Sequence, residues 1–177
     1  KLFDIVRLFV REIRVTGSTV FSAEELAKVT APFVNREITS EDLEALRRIL
    51  TLYYINKGYV TSGAIIPDQT VADGVITLHV IEGELTAIEI EGNQWLRAGY
   101  IEDRLALGAG PPVNINALQE RLQLLQQDER VQQINAELRP AVKRGESVLN
   151  VRVEERTPYI VWLEFNNHQS PSVGAER

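Results

Sequence analysis

Residues 15–17 read Val-Thr-Gly, and residues 90–92, which follow 75 positions later, read Ile-Glu-Gly. The same offset relates further apolar pairs: Leu26 with Ile101, Leu43 with Leu118, Leu50 with Leu125, Tyr59 with Ile134, Ile76 with Val151 and Leu78 with Val153. A match that continues through helix and strand patterns without a gap predicts two copies of one supersecondary unit. Repeated units more often build an extended binding surface than a catalytic site, so we expect function in surfaces.

The composition excludes several classes of protein. The chain has 177 residues and a formal net charge of -6, and it contains no cysteine. Acidic and basic residues are mixed in both copies, so the basic stripe that a nucleic-acid-binding protein needs is missing. Without cysteine, neither a disulfide framework nor a thiolate metal site can form.

The first half of the first copy reads as a strand followed by a short helix. Residues 8–15 follow a strand pattern with one slip in its alternation, and a turn at Gly17 ends the strand. Ser22 and Glu25 have the spacing of a capping box, which predicts a helix that begins there and stops at Pro32.

The second half of the first copy reads as a longer helix and two strands. The helix begins at Thr39 and ends at Gly58, which is a typical C-terminal cap. Residues 59–66 and 75–82 then predict a hairpin, with Gly63 as a possible bulge.

The second copy repeats this order. Gly83 alone joins it to the first copy, a linker that is too short for independent motion. Asn114 and Asn116 are both good caps for its longer helix. The predicted elements are a strand over residues 85–90, a turn at Gly92, helices over 96–105 and from 114 or 116 to 127, and strands over 131–138 and 148–155. The predicted fold class is α+β, with two tandem β-α-α-β-β modules, each a three-stranded mixed sheet backed by two helices.

Candidate catalytic and metal-binding residues do not combine into a site. Three of the acidic pairs, including Glu24-Glu25, fall in helix first turns, where negative charge complements the helix dipole. The two histidines, His79 and His168, lie far apart in sequence, so we expect a surface or packing role for His79. We expect Trp95 to be a packing residue. No enzymatic activity and no cofactor or metal is therefore predicted.

Three stretches of this sequence resemble a known family. The phrases at residues 15–21 (Val-Thr-Gly-Ser-Thr-Val-Phe) and 53–60 (Tyr-Tyr-Ile-Asn-Lys-Gly-Tyr-Val), in this order of elements, resemble a POTRA (polypeptide-transport-associated) domain. Residues 165–174 resemble the opening strand and turn of the barrel in two-partner secretion transporters, the family of the haemolysin and filamentous-haemagglutinin exporters. The resemblance covers nearly all of the chain, although the plug helix and Pro-rich linker of that family are absent from it.

The resemblance implies a division of the chain and a location. Residues 1–7 would be a linker remnant, 8–83 and 84–156 two POTRA modules, and 157–177 the start of a transmembrane β-barrel that this sequence does not contain. The apolar residues Tyr159, Val161, Leu163 and Phe165 would begin that barrel. The chain would then be the periplasmic part of an outer-membrane protein.

The resemblance also implies a client, the exported partner protein, recognised through the secretion domain of a large adhesin or haemolysin. We expect the strand over residues 59–66 to lie at a sheet edge, where an extended client can add as a further strand. The candidate client-binding residues are Tyr59, Val60, Thr61, Ser62, Ala64 and Ile65, and those that shape the turns and caps are Gly17, Ser22, Glu25, Gly58 and Gly92.

Alternatives remain open. The neighbouring repeat could cover this edge. The chain could instead belong to the POTRA array of a machine that inserts barrel proteins, or to a division-type periplasmic scaffold, and the full-length gene would separate these alternatives.

Overall fold

The computed structural model describes residues 7–71, 73–157 and 159. The N-terminal half contains β1 (Leu8–Val10), β2 (Glu12–Thr16), α1 (Ala23–Thr30), a 3-10 helix (Ala31–Phe33), β3 (Arg36–Ile38), α2 (Ser40–Asn56), β4 (Gly63–Ile65) and β5 (Val75–Ile81). The C-terminal half contains β6 (Glu84–Glu91), α3 (Ala98–Ala106), α4 (Ile115–Gln126), β7 (Val131–Pro140) and β8 (Glu146–Glu155).

Each half builds a three-stranded mixed sheet with the last strand of the half in the middle. The strand order is β2-β5-β4 in the N-terminal half and β6-β8-β7 in the C-terminal half. β2 is parallel to β5 and β6 is parallel to β8, whereas the hairpin strands are antiparallel. A parallel pair needs a long crossover connection, which the two helices of each half supply. The predicted mixed α+β class is confirmed.

The repeated apolar residues occupy matching places in two separate cores. Leu26, Leu50, Ile76 and Leu78 are buried in the N-terminal core, and their counterparts Ile101, Leu125, Val151 and Val153 are buried in the C-terminal core. The pair Tyr59 and Ile134 is an exception, because Tyr59 follows the end of α2 whereas Ile134 lies within β7.

The helix boundaries follow the local signals in the sequence. Ser22 accepts a hydrogen bond from the Glu25 N–H, the Glu25 carboxylate accepts one from the Ser22 N–H, and Thr39 begins α2 in the same way. Of the two candidate asparagines, Asn114 caps α4. Gly58 follows α2 with a φ of 95°, a left-handed conformation in which a side chain would be strained.

Several predicted features differ from the structure. The strand over residues 8–15 is divided at Arg11, because β1 pairs with β3 in a small ribbon while β2 pairs with β5. The predicted strand over 131–138 extends to Pro140. Trp95 does not pack in the core: its side chain is 55% exposed, and its ring centroid is 5.8 Å from that of Tyr159.

One glutamate in each half fastens the loop after the first strand. The Glu155 carboxylate accepts hydrogen bonds from the N–H groups of Gln94 (2.9 Å), Trp95 (2.8 Å) and Leu96 (3.1 Å). In the N-terminal half, the Glu82 carboxylate accepts from the N–H groups of Thr19 (2.7 Å) and Val20 (3.3 Å). Because these carboxylates satisfy several backbone donors at once, they fix where each loop enters its first helix.

Most of the residues expected to start a barrel lie outside the residues that the structure describes. Val161, Leu163 and Phe165 lie outside the described residues, and Tyr159 is described as an exposed residue with no assigned strand. Across the described ranges, no helix combines the length and the apolar character needed to cross a membrane.

Candidate functional site

The predicted edge strand over residues 59–66 is wrong in its extent. Only Gly63–Ile65 forms a strand. The Tyr59 N–H donates to the Tyr54 carbonyl (3.0 Å) and the Ser62 N–H to the Tyr59 carbonyl (3.1 Å), so this segment continues in turns after the left-handed Gly58. Tyr59, Val60, Thr61 and Ser62 therefore offer no extended backbone to a client.

The strand that remains, β4, is covered by α2 and not by the neighbouring repeat. The Ala64 N–H donates to Thr51 Oγ1 of α2 (3.1 Å), and Ala64 is only 3% exposed. Because this N–H points away from β5, the backbone groups of Gly63 and Ile65 face β5 in the antiparallel register. Little of this edge is left for an added strand.

Two of the candidate client-binding residues lie instead at the junction between the halves. Ser62 is buried, and its Oγ accepts a hydrogen bond from the Gly83 N–H (2.9 Å). Thr61 packs so closely on Gly83 that a Cβ there would overlap its Oγ1. Any residue other than glycine at position 83 would therefore force Thr61, including its backbone, to shift.

Further hydrogen bonds hold the halves together on either side of Gly83. The Val113 N–H donates to the Gly83 carbonyl (2.8 Å), and the Ile115 N–H donates to the Gly58 carbonyl (2.9 Å). The Asn114 side chain donates to the Lys57 carbonyl (3.1 Å) while its oxygen caps α4. The start of α4 is thus built on the end of α2.

The outer edge of the C-terminal sheet, β7, presents a different surface. Each of its residues from Gln133 to Pro140 pairs with β8 without interruption. The Ile134 N–H does not point towards β8, because it donates to Gln126 Oε1 of α4 (3.1 Å). Backbone direction alternates along an antiparallel strand, so the N–H and C=O groups of Ala136 and Leu138 also point outward.

The outward groups of Ala136 and Leu138 form the open edge of β7. No backbone or side-chain group in the described part of the chain accepts from or donates to them. Pro140 has the same outward direction and carries no N–H, so the open edge ends before it. Unlike the edge of β4, which α2 covers, this stretch of strand backbone has no partner among the described residues.

The open edge borders a cleft of about 910 Å³ between the two halves, which we call the junction cleft. Val60, Thr61 and Ile115 line one wall, and the other wall consists of residues 136–146. Val60 is 38% exposed, so an apolar side chain is available on the wall opposite β7. The structure therefore places two of the residues predicted from the sequence, Val60 and Thr61, in the lining of this cleft. The residues that form its other wall were not predicted from the sequence.

Four of the five charged residues that line the junction cleft form two ion pairs. Arg139 lies 2.7 Å from the Glu137 carboxylate, and Lys143 lies 2.8 Å from that of Glu146. Hydrogen bonding to Arg139 lowers the pKa of Glu137, and hydrogen bonding to Glu146 raises the pKa of Lys143. Since both shifts favour the charged forms, these rim groups keep their charges at neutral pH.

The described ranges hold no cluster of acidic and histidine side chains suited to a metal ion. His79 makes a hydrogen-bonding contact with Thr16 Oγ1 at 3.0 Å and lies at the surface. The recognisable chemistry of this molecule is that of exposed backbone at a sheet edge.

Comparison with known proteins gives this chemistry a context. A family model described as "POTRA domain, ShlB-type" matches residues 8–83. The outer membrane transporter CdiB of Dickeya dadantii is 30% identical over 94% of this chain, and the hemolysin transporter protein ShlB of Serratia marcescens is 27% identical over 92%. The chain spans only 29% and 28% of the length of these two relatives.

Solved structures agree with the sequence relatives. The structure of CdiB from Escherichia coli matches with a TM-score of 0.73 at 25% identity, over 86% of this chain and 28% of that one. The POTRA1-3 region of the periplasmic domain of Omp85 from Anabaena shares the fold, with a TM-score of 0.70 at 20% identity, over 85% of this chain and 66% of that one.

These relatives are transporters and not enzymes, and POTRA domains of outer-membrane transporters lie in the periplasm. The described halves are accordingly the periplasmic part of an outer-membrane protein. Residues 8–83 form a POTRA domain of the ShlB type, in a chain that is homologous over most of its length to outer-membrane transporters of the two-partner secretion family.

Proposed function

We propose that this chain is the client-recognition part of a two-partner secretion transporter. It captures an unfolded exported partner protein, through a secretion domain of the kind found in adhesins and haemolysins, and delivers it to a barrel pore. In this proposal residues 8–83 and 84–156 are the two POTRA modules, and the barrel starts within 157–177. The relative named hemolysin transporter protein ShlB supports this class of cargo.

The observation that carries the proposal is the open edge of β7 beside the junction cleft. An extended segment of the client adds as a further strand, pairing its backbone with the outward groups of Ala136 and Leu138. This pairing requires no particular client sequence, which suits a transporter that meets its cargo unfolded. Residues 59–66 cannot pair with a client in this way, since most of that segment is not a strand.

The walls of the cleft indicate which client segments fit. Ile134 and Leu138 pack against the C-terminal core, and Ala136 is on the same face of β7, towards the apolar wall formed by Val60 and Ile115. The opposite face of the strand carries polar residues such as Asn135 and Glu137. A client strand paired with this edge therefore presents alternate side chains to an apolar and to a polar surface. Segments that alternate apolar and polar residues are preferred.

The expected affinity is low. Each backbone hydrogen bond contributes about 0.5–1.5 kcal/mol net, so four bonds give about 4 kcal/mol, equivalent to a Kd of about 1 mM. Apolar contacts with the cleft wall add to this value, while ordering of the client subtracts from it. Weak capture allows the client to leave for the pore.

A proline at position 136 tests the proposal. Ala136→Pro removes an outward N–H and no hydrogen bond to β8, and proline already occupies the equivalent position 140 of this strand. Ala136→Ser changes the side chain and keeps the N–H. Because one backbone bond contributes about 0.5–1.5 kcal/mol, we expect the proline variant to lose about two- to tenfold in client binding, with reduced secretion, and the serine variant to resemble the wild type.

Urea unfolding and circular dichroism of both variants control for damage to the fold. Equal losses in the two variants, or none in either, would place client capture elsewhere.

A further inference from the structure

Gln126, the last residue of α4, occupies part of the β7 edge with its side chain. Its Nε2 donates to the Gln132 carbonyl (3.1 Å), and its Oε1 accepts from the Ile134 N–H (3.1 Å). One amide thus contacts the carbonyl before Gln133 and the N–H after it. A residue of a neighbouring parallel strand makes this same pair of bonds.

A second glutamine does the same in the N-terminal half. Gln69 donates to the Thr77 carbonyl (2.7 Å) and accepts from the Thr77 N–H (2.8 Å), on the part of β5 that lies beyond the three residues paired with β4. There the side-chain amide forms hydrogen bonds with both backbone groups of one residue, as a residue of an antiparallel neighbouring strand does. Both sheets therefore have a stretch of edge closed by a glutamine amide.

We propose that Gln126 sets one limit of the client-binding edge, and Pro140 the other. This inference rests on the proposed function, since it concerns where on β7 a client strand begins. With Gln126 in place, the outward groups of Ala136 and Leu138 are available, and the Ile134 N–H and Gln132 carbonyl are not. The amide fixes the register of the added strand and keeps the edge too short for strong pairing with other chains.

The position of Gln126 suits this role. Gln126 is exposed, so its two hydrogen bonds compete with water and stabilise the fold only weakly. It is also the final residue of its helix, where replacement by alanine preserves helix propensity. Removing the amide therefore changes the length of the free edge with little change in stability.

Residue-resolved amide hydrogen exchange, measured on this 177-residue protein, tests the inference. The probe is a synthetic peptide of alternating Val and Thr residues with Lys at both ends, titrated against the wild type, Gln126→Ala and Gln69→Ala. In the wild type we expect the peptide to slow exchange at Ala136 and Leu138 and to leave Ile134 unchanged. In Gln126→Ala, we expect the Ile134 amide to exchange faster in the free protein and the peptide to slow exchange at all three residues. The affinity for the peptide should rise about tenfold, because two more backbone hydrogen bonds can form.

Gln69→Ala is the matched control, because it opens the edge at Thr77 and leaves β7 intact. It should reproduce the wild-type pattern at Ala136 and Leu138. The peptide could instead protect these two residues equally in the wild type and in Gln126→Ala, with no added protection at Ile134 and no gain in affinity. That result would refute the limit set by Gln126 and would leave the client-binding edge supported. If the peptide protects neither residue in the wild type, both the edge and its limit are refuted.

Discussion

Replacing Gly58 by alanine should destabilise both halves through one added methyl group. Gly58 has a φ of 95°, and a Cβ there would lie 2.6 Å from Asn114 Oδ1 and 2.7 Å from Asn116 Nδ2. The left-handed conformation costs an alanine about 1–2 kcal/mol. Displacement of Asn114, which caps α4, costs about 1 kcal/mol more. We therefore expect the free energy of unfolding to fall by about 2–3 kcal/mol.

A double-mutant cycle in urea separates these two costs. In an Asn114→Ala background the cap is already lost, so Gly58→Ala should cost only about 1–2 kcal/mol, leaving a coupling energy of about 1 kcal/mol. Gly99→Ala is the control: this glycine lies within α3 with nothing within 4 Å of an added Cβ, and the change should stabilise the protein by about 0.5–1 kcal/mol. Additive costs for Gly58→Ala and Asn114→Ala would refute the proposed contact across the junction.

Two further predictions concern carboxylates of the C-terminal half. Hydrogen bonds from Arg130 and from the Tyr100 hydroxyl lower the pKa of Asp128, so this group stabilises the fold above its unfolded pKa of about 4 and loses that contribution as the pH falls below it. Asp128→Asn should accordingly reduce the free energy of unfolding at neutral pH. In urea titrations, the difference in this free energy between the wild type and the variant should become smaller in acid. A difference that does not depend on pH would contradict the prediction. Glu155→Gln should speed amide exchange at Gln94, Trp95 and Leu96 and leave Thr19 and Val20, which Glu82 holds, unchanged; equal changes in both loops would indicate general unfolding.

Features set by neighbouring residues could be predicted from the sequence. The caps at Ser22 and Thr39 and the left-handed turn at Gly58 each depend on a few consecutive residues, and all three are present. The repeat also predicted which apolar residues fill the two cores, because periodic burial leaves a periodic pattern.

Features set by distant residues could not be predicted in this way. Tyr59, Val60 and Thr61 have high β propensity, yet the hydrogen bond from Tyr59 to Tyr54 keeps this segment in a turn. The hydroxyl of Thr51 covers the edge of β4, although nothing in the sequence near Ala64 indicates it. In the sequence Gln126 resembles any solvated glutamine, and only the packing of α4 beside β7 gives its amide a partner.

The parallel pairing of β2 with β5 and of β6 with β8 has a mechanical consequence. In each half the chain enters at the start of one strand and leaves at the end of its parallel neighbour, with Glu12 opposite Val75 and Thr16 opposite His79 in the N-terminal half. Tension between these two ends pulls the strands past one another, so the hydrogen bonds of the pair bear the load together and do not unzip in turn. Each half should accordingly unfold at a higher force when pulled by its own termini than when pulled across the β4–β5 hairpin, a difference that single-molecule stretching measures.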